Sequence, residues 1–127
     1  MTEQITGRIH AVRTIGVPVT AQDRAVDFYV GTLGFEKRLD TPLPQQPARW
    51  IEVAPPASPV SVALVLVHDG LPVGVETGIR FTTDDAEALH AGLTARGVDV
   101  GELLNWPGVP PMFAFRDQDG NGFEIVG

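Results

Sequence analysis

A chain of 127 residues with no cysteine and three histidines offers few side chains that could bind a metal or attack a substrate. The absence of thiols removes disulfides, thiolate nucleophiles and cysteine-held zinc or iron–sulfur centres. Glu124 is the carboxylate in the most informative setting. It alternates with Phe123 and Ile125, so in an extended strand its side chain points opposite to theirs. A carboxylate facing an apolar cleft tends toward a raised pKa, which suits a general acid or base. Glu124 could equally accept hydrogen bonds from a neighbour such as Arg49 or Arg80. The sequence places no second acid, base or nucleophile beside it, so no reaction mechanism follows.

Trp50 and Trp106 could form flat apolar walls for a planar ligand. Trp50 opens the run RWIEV, and Trp106 sits in WPGVPP, whose prolines would stiffen a loop. Core or interface packing explains both tryptophans equally well. Phe113 alternates with Met112 and Ala114, so Phe113 and Phe115 share one strand face, either in a cleft or under a helix. His10 reads as a surface residue. His68 follows an apolar strand and precedes a turn at Asp69 and Gly70, a place at the rim of a site. Asp84, Asp85 and Glu87 are explained by a helix start, where acidic groups offset the helix dipole. No phosphate-cradling glycine motif occurs between a strand and a helix.

These residues need a scaffold, and the patterning supplies one. Val12–Val19 reads as a strand leading to Thr20 as a helix N-cap. Val26, Tyr29, Val30 and Leu33 then form one apolar stripe on a helix that ends at Gly34. Strand-like runs follow at 35–39, 49–53 and 60–67. The pattern repeats with a strand at 77–82, Asp84 as N-cap, a stripe of Ala86, Leu89 and Leu93, and a helix end at Gly97. Runs at 98–104, 112–116 and 123–126 complete it, the last two joined by the tight turn in RDQDGNGF. Gly34 matches Gly97 at close to half the chain length. Each half is βαβββ, one sheet with a helix on only one face.

Composition limits the partners. Hydrophobic residues make up 43% and charged residues 20%, as in a globular domain, and the net charge is −7. That charge opposes nucleic-acid binding. No apolar run is long enough to span a membrane, and the polar start lacks a signal peptide's apolar segment. The expectation is a cytoplasmic protein.

Three segments carry a family resemblance. VTAQDRAVDFYVGTLGFEKR resembles the first-module signature of the vicinal oxygen chelate superfamily, the glyoxalase, bleomycin-resistance and extradiol-dioxygenase type. FTTDDAEALHAGLTARGVDV is similar to the second module's strand and helix, and FAFRDQDGNGFEIV to its closing hairpin. The resemblance implies an α+β fold in one domain over residues 1–127. Two tandem βαβββ modules, about 8–70 and 75–127, would form a curved mixed sheet around a cleft with the helices, and His90, on the outer face.

In that superfamily a divalent metal is held by a His or Gln early in each module's first strand and a Glu on each module's last strand. The corresponding positions here are Thr14, Thr77 and the carboxylate-free run Ser61–Leu64; only Glu124 matches. One carboxylate does not hold a metal that takes four ligands, so no cofactor is expected, with a divalent metal as the alternative. What the resemblance implies is a homodimer that binds a small, partly apolar or aromatic molecule. Trp50, Trp106, Phe113, Thr14, Thr77 and His68 would contact the ligand, beside Glu124. The competing readings are a metal-dependent lyase, isomerase or ring-cleaving dioxygenase, and a purely structural dimer. Whether a cleft forms from modules of one chain or of two is left open.

Overall fold

The computed structural model describes residues 6–67 and 72–127. Its first half contains β1 (Thr14–Val19), α1 (Gln22–Val26), β2 (Glu36–Pro42), β3 (Arg49–Ala54) and β4 (Ser61–Leu66). The second contains β5 (Glu76–Thr82), α2 (Ala86–Ala95), β6 (Asp99–Val100), β7 (Met112–Arg116) and β8 (Gly122–Val126). Both halves are βαβββ, as the patterning predicts. They build two four-stranded mixed sheets, ordered β1-β4-β3-β2 and β5-β8-β7-β6, with the first and last strands of each module parallel.

The helices show where local sequence is and is not decisive. Gly34 and Gly97 follow the two helices with φ of 81° and 78°, a left-handed conformation that costs glycine little. At the other ends the expected caps are displaced. Ala21, not Thr20, is the N-cap of α1, because the Thr20 hydroxyl donates to Asp119 Oδ1 at 2.6 Å in the other module. Asp85, not Asp84, caps α2 by accepting from the Ala88 N–H at 3.0 Å. From Asp27 to Thr32 the first helix widens into a π-helix, where Leu33 N–H donates to the Phe28 carbonyl. β-Branched Val30 and Thr32, with Gly31 between them, are weak formers of regular α-helix. The strand expected over 98–104 is reduced to two residues, and Leu104 meets Met112 in an isolated bridge.

The helix-covered faces of both sheets meet in one core. Val17, Val19, Ile51, Val53, Val62 and Leu64 come from the first sheet, and Phe113, Phe115, Phe123 and Ile125 from the second. Tyr29 lies between them, fully buried, with its ring edge-on to Phe35 and Phe123. Its hydroxyl donates to Asp117 Oδ2 at 2.7 Å, and burial together with that carboxylate raises the phenol's pKa strongly. Asn121, also fully buried, donates to the Pro18 carbonyl and accepts from the N–H groups of Gly74 and Val75. A buried amide with every group paired fixes a single arrangement of the segments it joins. Among the described residues no helix is long and apolar enough to cross a membrane.

Candidate functional site

Because the helices cover one face of each sheet, the polar candidate side chains Thr14, Glu52 and Glu124 lie away from the shared core. Strand alternation sorts them. On β3, Ile51 and Val53 enter the core, so Trp50 and Glu52 share the open face. Register places Glu52 opposite Ala63 and Thr14 beside Ser61. In the second sheet Phe123 and Ile125 enter the core, and Glu124 faces outward between Arg80 and Ala114.

Glu52 is the centre of the first face, and the sequence reading passed over it. Its side chain is only 6% exposed. Oε1 accepts the Ser61 hydroxyl at 2.7 Å, and Oε2 accepts the Trp50 Nε1–H at 2.7 Å. Arg13 Nη2 approaches Oε2 at 3.4 Å from a side chain that is 78% exposed. The Trp50 N–H, then Ser61 and Arg13, hold the carboxyl below its ordinary pKa although burial opposes ionisation. Alternation in RWIEV was the available clue, since it puts an indole and a carboxylate two residues apart on one face. Gln22, buried in α1, fixes the start of this strand: its amide bonds the Arg49 N–H and the Arg49 and Leu64 carbonyls.

Of the two settings the sequence allowed for Glu124, the structure shows the one with an arginine partner and not the apolar one. Its side chain is 45% exposed, and Arg80 Nε donates to Oε2 at 3.0 Å. The neighbouring hollow is shallow, formed by Leu104, Met112, Ala114 and Glu124, with Phe113 at its floor. The Phe113 ring itself lies on the core side, 2% exposed and edge-on to His90 of α2 at 4.9 Å between centroids. The expectation that Phe113 walls the ligand site is corrected accordingly: Met112 and Ala114 take the open face.

The two threonines are already engaged. Thr14 Oγ1 donates to the Ser61 carbonyl at 3.2 Å. Thr77 Oγ1 donates to the Gly122 carbonyl at 2.7 Å and accepts from the Ile79 N–H, filling an irregular register between Glu76 and Arg80. Trp106 is 59% exposed in the loop before β7, on a different sheet from Trp50. His10 is exposed, and His90 Nε2 lies 2.8 Å from the Gly101 carbonyl. His68 lies outside the described residues. A hollow of about 450 Å³ is lined by Ile15, Ser61 and Val62 of the first module and Thr77 and Arg80 of the second, among others.

These donors do not fit a divalent metal. Threonine hydroxyls spent on carbonyls stand where the family has histidines, Glu52 already accepts from an indole and a hydroxyl with no second carboxylate or imidazole beside it among the described residues, and Glu124 is paired with a guanidinium. Among the described residues no group of three or more His, Cys, Asp or Glu side chains converges.

Comparison with known proteins agrees with this architecture. A protein from Sphaerobacter thermophilus DSM 20745, a member of the glyoxalase/bleomycin resistance protein/dioxygenase superfamily, is 38% identical, with 93% of this chain and 97% of that one covered and a TM-score of 0.85. TnmS3, an antibiotic-binding protein from Streptomyces sp. CB03234, is 37% identical over 93% and 95% of the two chains, with a TM-score of 0.82. YetH of Bacillus subtilis is 29% identical over 121 residues, 91% of this chain and 96% of its own. The family model for the glyoxalase/bleomycin resistance protein/dioxygenase superfamily matches residues 8–125, and the chain belongs to that superfamily.

Proposed function

We propose that this protein binds a small, partly apolar or aromatic molecule on the open face of its first sheet, without a metal and without making or breaking a bond. The observation that carries the reading is the Trp50–Glu52 pair. The indole is half-buried, and its N–H is fixed by a buried carboxylate, so its plane is set before a ligand arrives. A wall already in place reduces the ordering cost of binding. The hollow beside Ser61 and Arg80 offers the adjoining space. The similarity to an antibiotic-binding protein supports a binding role over a catalytic one. Thr14, Thr77 and Glu124 would border the ligand rather than react with it.

The same reading includes a homodimer. The open face of the first sheet leaves Leu39 36% and Val65 41% exposed, and β1 and β5 each keep one unpaired edge. A second copy covering these features would supply the opposite wall of a cleft. Light scattering is expected to give twice the chain mass.

The binding test is a tryptophan-fluorescence titration with a panel of two- and three-ring aromatics in the presence of EDTA. Saturable quenching that survives Trp106→Phe and is lost in Trp50→Leu is the expected result. Binding that appears only when a divalent metal is added would favour the metal-dependent lyase or dioxygenase reading.

A further inference from the structure

Glu52 is buried, ionised and incompletely used. A carboxylate offers about four acceptor positions. Two are taken by fixed neutral donors, the Trp50 N–H and the Ser61 hydroxyl, both at 2.7 Å. The third contact, from Arg13 at 3.4 Å, is long and comes from a side chain that is 78% exposed. A solvent-exposed arginine in such a contact gains little and gives up side-chain freedom to make it. It also shows that a cationic nitrogen can reach Oε2 from the solvent side.

We infer that Glu52 recognises a cationic nitrogen carried by the ligand's aromatic body, with Trp50 as the wall for the ring and Arg13 as a tethered cation that the ligand displaces. This inference rests on the reading that the first sheet's open face is the ligand site. A ligand ammonium or amidinium would meet a carboxylate whose desolvation has already occurred in folding, so the charge-assisted hydrogen bond is not offset by stripping the acceptor of water. The adjoining indole adds attraction for a cation over its face. The net charge of −7 draws cations toward the chain at long range. Arg80 and Glu124 pair at 3.0 Å on the second sheet, closer than the 3.4 Å contact of Arg13 with Glu52, and there the carboxylate is half-exposed rather than buried.

The test uses two isosteric probes, 4-phenylbenzylamine as the ammonium and 4-phenylbenzyl alcohol as its neutral partner. Both are titrated into ¹⁵N-labelled Trp106→Phe protein, whose one remaining indole resonance is Trp50. The ammonium is expected to shift that resonance with an affinity roughly tenfold above the alcohol's. Glu52→Gln should erase the difference. Arg13→Ala should strengthen ammonium binding several-fold and leave the alcohol unchanged, because the competing cation is gone. Arg13→Ala alters an exposed side chain and keeps the test open if Glu52→Gln fails to fold. Equal affinities for the two probes, or weaker ammonium binding in Arg13→Ala, overturn cation recognition while the aromatic-binding reading stands. A Trp50 resonance that neither probe moves in folded protein overturns both.

Discussion

Glu52 and Glu124 both stand on the open face of their sheets and live in opposite surroundings. Each faces an alanine across a strand pair, Glu52 opposite Ala63 and Glu124 opposite Ala114. The carboxylate stands on the third strand of the first module and on the fourth strand of the second. Glu52 is buried and bonded by an indole and a hydroxyl, whereas Glu124 is half-exposed and held by one exposed guanidinium. Carboxylates at neighbouring strand positions of one scaffold thus give a preorganised acceptor in one sheet and a solvated ion pair in the other. The neighbours on the adjoining strands decide which.

The largest test of that contrast is truncation. Glu52→Ala leaves the Trp50 N–H and Ser61 hydroxyl without their acceptor and is expected to cost about 2–3 kcal/mol, read from urea unfolding at neutral pH. Glu124→Ala should stay within about 0.5 kcal/mol, as for other exposed pairs. Equal losses would dissolve the distinction. The tryptophans sharpen it at a smaller scale. Trp50→Phe removes one donor to the buried carboxylate and is expected to cost about 1–2 kcal/mol. Trp106→Phe, in an exposed loop, should change stability by no more than about 0.5 kcal/mol.

Acid titration gives a finer test. The Trp50 N–H, with Ser61 and Arg13, lowers the folded pKa of Glu52 below its ordinary 4.5. Its contribution is therefore complete above about pH 4.5 and is lost as pH falls through the lower folded value. Unfolding experiments across that window should show wild type losing stability relative to Glu52→Gln as the pH drops. Parallel curves would remove the argument that this carboxylate is held ionised by its donors.

Much of this architecture is legible in the residues, and the failures have physical causes. Periodicity gives the two βαβββ units, and β7 runs over Met112–Arg116 as the alternation predicts. Gly34 and Gly97 end their helices because the left-handed turn selects glycine there. Thr20 misleads because a tertiary partner, Asp119, outcompetes the local cap. Asp84 and Asp85 differ by one residue, finer than composition at a helix start resolves. The π-helix over Asp27–Thr32 escapes the apolar periodicity, which a regular helix satisfies as well; Val30, Gly31 and Thr32, weak formers of α-helix, were the available sign of it. For the site, Trp50 and Glu124 are visible as residues, but burial is not. Reading the carboxylate expected of the first module only on its last strand misses Glu52 one strand away, whereas for Glu124 the alternative of an arginine partner was already visible in Arg80, which the parallel strand places beside it.

Metal content tests the account most directly. Untagged protein is loaded in turn with nickel, zinc, manganese and ferrous iron, dialysed, and measured by plasma mass spectrometry beside Glu52→Ala and Glu124→Ala. A binding face on which no three metal-ligating side chains converge among the described residues predicts far less than one metal per chain in every sample. One metal per chain in wild type, lost in Glu124→Ala, would contradict it and restore the metal-dependent reading.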